Sequence, residues 1–130
     1  MQITQNQNAI RIWKNLELNI IYAGHAIVGQ DWKEPKVCSP FSRIYYIVDG
    51  EGILTVNGQR IVLKKGSVWL VPAGMTFGYF CESSMEQLFF HLNVLCSDGT
   101  DLLYGVRQLY ERKNRQGKLR GSRDCIRVKP

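Results

Sequence analysis

Apolar and polar positions alternate along most of the chain in short runs. AIRIW (9–13), LELNIIYAG (16–24), RIYYIV (43–48), GILTVNG (52–58), QRIVL (59–63), SVWLVP (67–72), FGYF (77–80) and QLFFHLNVL (87–95) are rich in Ile, Val, Tyr, Phe and Leu. Such runs predict β-strands. Turn signals separate them: DGEG at 49–52, NGQ at 57–59, KKG at 64–66 and AGM at 73–75. Asn57-Gly58 predicts a tight hairpin, because both residues tolerate positive φ. Closely spaced strands without intervening helices imply an all-β fold, an antiparallel sandwich or barrel.

The pattern changes near Ser97. Leu102, Leu103, Val106, Leu109 and Tyr110 form a stripe of helical period, with Thr100 as N-cap. Gly105 weakens such a helix by about 1 kcal/mol. Beyond Gly117 there is neither stripe nor alternation. The expected organisation is a barrel with an amino-terminal arm over 1–99, a helix over 100–116 and a basic tail over 117–130. An apolar stripe on a segment too short to be stable alone needs a partner surface. Pairing into a homodimer and folding back on its own barrel are both open.

Composition adds bounds. At 130 residues with 45% hydrophobic content, the chain is sized for one core. No apolar run approaches the ~20 residues of a membrane span, and no secretory signal pattern opens the chain, so a cytoplasmic location is the expectation. The net charge of +6 is unevenly placed: residues 1–106 carry −1 and residues 107–130 carry +7. A basic end can hold phosphates or stay solvated, and it has only Tyr110 to stack on a base. Cys38, Cys81, Cys96 and Cys125 form no CxxC pair and read as reduced thiols. With only His25 and His91, no Ser-His-Asp motif is supported, and no glycine-rich loop opens a helix to cradle phosphate.

The run RIYYIVDGEGILTVNGQRIVLKKGSVWLVPAGMTFGY, followed by FFHLNV, resembles a cupin core, and in particular the amino-terminal sensor domain of AraC-type transcription regulators. The resemblance spans roughly residues 15–100 and implies a cupin-like barrel of the double-stranded β-helix type. Catalytic cupins carry metal ligands at set positions. Counting back from Gly50 places Arg43 at their Glu position, and Lys36 and Cys38, or Val37 and Ser39, at their first two His positions. Phe77 stands at the second motif's His. A fixed guanidinium repels a divalent cation, so neither metal nor cofactor is expected, and no catalytic residue is assigned.

Strand alternation then sets the lining. If Arg43 and Phe77 point inward, Tyr45 and Ile47 follow on the first strand, and Tyr79 and Cys81 on the second. Phe89, His91 and Asn93 share a face of the last strand. In AraC-type sensors, sugar contacts come from the strand after the Pro-x-Gly turn and from this last strand. The resemblance therefore implicates Phe77, Tyr79, His91 and Asn93, with Arg43 and Tyr45 completing the ligand-binding set. Two readings remain open: the aromatics line a pocket or merely fill a barrel, and His91 is a ligand contact or a core histidine. Trp32 is a loop anchor or a lid, and Trp69 packs between sheets or at a partner.

The function expected from the resemblance is an effector-binding, dimerising sensor without enzymatic activity. Its effector would be a small, sugar-like carbohydrate. Ligand closure would be transmitted through the amino-terminal arm or the following helix. DNA would be contacted only through helix-turn-helix units absent from this chain. The alternative is a metal-free cupin enzyme, a sugar isomerase or epimerase, which would require a His–Tyr acid–base pair.

Overall fold

A computed structural model describes residues 15–106, 108–113 and 125–128. They form β1 (Glu17–Val28), β2 (Lys33–Val37), β3 (Ser42–Val56), β4 (Gln59–Lys64), β5 (Ser67–Val71), β6 (Phe77–Phe80), β7 (Met85–Leu95), β8 (Leu109–Lys113) and β9 (Cys125–Val128). There is no helix among the described residues, hence none long and apolar enough to cross a membrane. The 9–13 run lies outside them.

The longest strand organises the rest. The 15 residues of β3 belong to both faces of the molecule. Its first half lies between β5 and β7, within the order β1-β7-β3-β5-β8-β9. Its second half pairs with β4 and β6, and β6 pairs in turn with β2. Every pairing is antiparallel. DGEG was expected to turn the chain between two strands. Instead β3 runs through it, with a register shift between Ile47 and Asp49 and Gly50 at φ 73° where the strand passes from one sheet to the other. The glycine lets one strand bend where two had been expected.

The two faces close on one core. Tyr45, Ile47, Trp69 and Val71 from the first sheet meet Leu54, Val56, Leu63 and Phe77 from the second. Each alternates with a less buried neighbour, as the pleat requires. Full burial of a side chain such as Leu54 or Leu63 contributes about 2 kcal/mol. Trp69 belongs to this core, with its Nε1 donating to Ser67 Oγ at 3.1 Å. Asn57 (φ 50°) and Gly58 (φ 77°) make the expected hairpin between β3 and β4.

Two elements differ from expectation. β2, KEPKV, has no apolar alternation and is not among the strands the pattern predicts. It forms a strand by pairing with β6, and Pro35 sits where no ladder donor is needed, at the edge. The helix expected over 100–116 does not form among the described residues. Asp101 bridges to Leu95, Leu102–Gly105 makes turns, Gly105 takes φ 88°, and Leu109–Lys113 is β8. The reason is tertiary. The edge of β5 offers Trp69↔Glu111 and Leu70↔Tyr110 pairing, which places Leu109, 0% exposed, in the core. One buried leucine and a sheet ladder outweigh a glycine-weakened stripe. In the basic end, Cys125–Val128 pairs with β8.

Candidate functional site

The first half of β3 runs antiparallel beside β7, and Arg43 is the register partner of His91. Directly opposed residues project from the same sheet face, so these side chains are neighbours. Tyr45 opposes Phe89 one step along, and Tyr45 is buried with the core. The inward phase therefore runs Arg43, Tyr45, Ile47 on β3 and Gln87, Phe89, His91 on β7. Gly24 on β1 makes this possible: a Cβ there would lie 2.6 Å from the Phe89 ring.

Arg43 is the centre of the cluster. Its Nη2 donates to Ser39 Oγ at 2.9 Å and its Nη1 to the Tyr45 hydroxyl at 3.3 Å. The guanidinium carbon lies 5.2 Å from the Phe41 ring centroid and 5.4 Å from that of Phe77, both within cation–π range. Nε is buried without a hydrogen-bond partner. Phe41 also stacks on His91, with centroids 4.5 Å apart, and Tyr22 approaches Phe89 at 5.6 Å and His91 at 6.1 Å.

Electrostatics follow from this packing. Burial, and then the Arg43 charge, hold His91 below the ordinary histidine pKa, so it is neutral at pH 7. Burial raises the Tyr45 phenol, against the opposing pull of Arg43, so it keeps its proton. The His91 shift has a stability consequence. A histidine with a depressed folded-state pKa binds fewer protons folded than unfolded. Its contribution is complete above the unfolded value of about 6.5 and is lost as pH falls through it. We expect the melting temperature to decline from pH 7 to pH 5, and His91→Gln to flatten part of that decline. A melting profile for His91→Gln parallel to wild type would show that His91 takes up its proton equally in both states.

The other expected contacts divide. Phe77 joins the cluster. Tyr79 lies 6.2 Å from Phe77 and stacks at 4.3 Å on Trp32, whose ring edge meets Tyr45 at 6.1 Å. Trp32 thus caps the Tyr45–Tyr79 side. Asn93 is occupied elsewhere. Its amide nitrogen donates to Pro40 O at 3.0 Å and to Asp101 Oδ2 at 2.8 Å, tying the loop after β7 to the segment before β3. Ser39 and Phe41 were not expected at the site. Phe41 precedes Arg43 by two residues, so extending the β3 alternation by one step would have found it. Two surface grooves, one beside Tyr79 and Pro35 and one beside Met75 and Tyr104, do not include Arg43 or His91. Neither groove holds a buried charge, so the distinctive chemistry is at Arg43.

The metal implied by a cupin does not fit here. Lys36 and Cys38 are exposed, and Arg43 and Phe77 fill the remaining ligand positions, with the cation lying over the ring. His25 is held by Glu86 Oε2 at 2.7 Å. No group of His, Cys, Asp or Glu among the described residues gathers to hold an ion.

Comparison with known proteins finds similarities to cupins. The cupin domain family model matches residues 29–92. A EutQ protein from Clostridium difficile is similar at 11% identity and TM-score 0.49, over 64% of this chain and 69% of that one. A predicted oxalate decarboxylase from Thermotoga maritima is similar at 18% identity and TM-score 0.49, over 59% and 79%. A cupin superfamily protein from Desulfitobacterium hafniense gives 17%, 0.48, 71% and 83%. No curated protein matches the sequence. The residues matched by the cupin domain model lie across the part of the described chain in which the two sheets close on one core.

Proposed function

We propose that this cupin-like domain is a small-molecule sensor, the effector-binding part of an AraC-type transcription regulator. One observation carries the binding reading. Where a catalytic cupin would gather metal ligands, this chain gathers a guanidinium, two hydroxyls and aromatic rings, with the buried Nε of Arg43 unanswered. Such a site recognises a ligand by hydrogen bonds and ring contacts. The regulator identity and the sugar-like effector rest on the resemblance of residues 43–79. DNA contact in such a regulator belongs to helix-turn-helix units, which the described residues do not contain. The proposal includes a homodimer, but its seam is not a helix over 100–116, since Leu109 is committed to its own core.

A second reading has one observation behind it. Neutral His91 and protonated Tyr45 flank Arg43 on one face, which is the acid–base chemistry a metal-free isomerase would need. The tests differ. For a sensor, a thermal-shift screen of neutral sugars, uronic acids and small aromatic acids should give at least one compound that raises the melting temperature. The stabilisation should reach about 2.7 kcal/mol at a hundredfold excess over Kd. That compound should be recovered chemically unchanged. Turnover of it would favour the enzyme, and a screen in which nothing stabilises the protein would remove the sensor reading.

A further inference from the structure

The hydrogen bonds around Arg43 are unbalanced, and the imbalance specifies a ligand. Arg43 has donors and no acceptor. Its terminal nitrogens use lone pairs on Ser39 Oγ and the Tyr45 hydroxyl, and its Nε–H is buried with no acceptor. Each hydroxyl, having accepted from Arg43, keeps its own hydrogen, and neither is seen donating it to another described group. The site therefore offers spare Arg43 N–H and two O–H donors, none of them bonded to an acceptor among the described residues; the acceptor nitrogen of neutral His91 makes no hydrogen bond to them. The site also holds a cation without a counter-ion among the described residues. The ion-paired carboxylates there are engaged elsewhere: Glu86 with His25, Glu82 with Arg60 and Asp49 with Lys65.

We propose that the ligand of this site is a carboxylate, bound through Arg43, Tyr45 and Ser39, on a ring body that packs against Phe41 and Phe77. The proposal rests on the binding reading above and narrows it. An ionised carboxylate accepts only, so it takes every spare donor, whereas a neutral sugar hydroxyl brings its own hydrogen and leaves one mismatched. The planar fork of a guanidinium fits a carboxylate geometrically. A phosphate would be served by further cations or a helix N-terminus. Here Arg43 is flanked by rings and hydroxyls, and the described residues contain no helix. His91 stays neutral beside the guanidinium and adds no second positive charge.

Isothermal titration calorimetry on the full chain tests this with benzoate and D-glucuronate against their neutral counterparts, benzamide and D-glucose. The expected result is that one acid binds at least ~10-fold more tightly than its neutral counterpart, the effect of a charge-assisted hydrogen bond. The acid that does so tells an aromatic ligand from a sugar acid. Arg43→Gln should bring the acid-to-neutral ratio close to unity. Arg43→Lys, which keeps the charge and loses the fork, should fall between. The ratio measured on wild-type protein decides the matter even if a variant does not fold. Equal affinity for acid and amide, or a ratio that survives in folded Arg43→Gln, overturns the proposal. Binding of glucose without glucuronate overturns the carboxylate and leaves the sensor reading standing. If none of these probes binds, the carboxylate proposal is overturned and the sensor reading loses its support with it.

Discussion

Leu109→Ala should destabilise the protein by about 3 kcal/mol, within the range for a leucine removed from a packed core. Leu109 is 0% exposed and belongs to the same cluster as Trp69, Val71 and Leu54. β8 is held to the body by its pairing with β5, so a cavity at Leu109 also loosens the strand that carries it. In a domain of this size the loss corresponds to a drop in melting temperature of roughly 10 °C. The control is Leu102, which shares the same apparent stripe but is 46% exposed. Leu102→Ser should change stability by less than about 0.5 kcal/mol. Thermal melts and light scattering on both variants decide between a core role and an intermolecular seam. A wild-type dimer that Leu109→Ala converts to a monomer of unchanged melting temperature would place Leu109 at a seam and refute the core role.

Gly50→Ala should be at least as damaging, at about 3 kcal/mol or more, because two costs add. The backbone there sits at φ 73°, which an alanine adopts only under strain. A Cβ would also collide with Ser84 O and come within 3.0 Å of Met85 Cα, both main-chain atoms with no rotamer to yield. Gly66 separates the two costs. Its φ is 84°, yet a Cβ there meets nothing within 4 Å. Gly66→Ala should therefore show the backbone strain alone, about 1–2 kcal/mol. Urea midpoints for the pair check this. Equal losses at the two positions would mean that the contact with β7 is not what requires glycine at Gly50.

What the sequence disclosed, and what it hid, follows from the range of the interactions involved. The strands were legible where burial alternates, as in Tyr45, Ile47 and Leu63, because a period of two is a local property. The Asn57-Gly58 hairpin was legible for the same reason. The phase that puts Arg43, Tyr45 and His91 on one face needed only counting from Gly50 and along β7. Asn93 has the same phase, but its amide partners are a backbone oxygen of Pro40, 53 residues away, and a carboxylate in the loop after β7. Nothing local distinguishes a polar side chain awaiting a ligand from one fastening a loop. β2 was hidden because an edge strand containing Pro35 draws its identity from β6. The 102–110 segment misled because Leu102, Val106 and Leu109 fit a helical period, while the edge of β5 that captures β8 is far away in sequence.

The path of β3 has a further consequence. Arg43–Tyr46 has strands on both sides, and so does Ile53–Thr55, one stretch in each sheet of a single unbroken strand. Releasing the first stretch frees the chain that anchors the second, and their side chains meet in one core. Neither sheet can melt while the other survives intact. The barrel is therefore a single cooperative unit, and β3 opens only when the whole barrel does. β1, hydrogen-bonded to β7 on one side and exposed along most of its length, sits at the other extreme and can fray without bringing the barrel down.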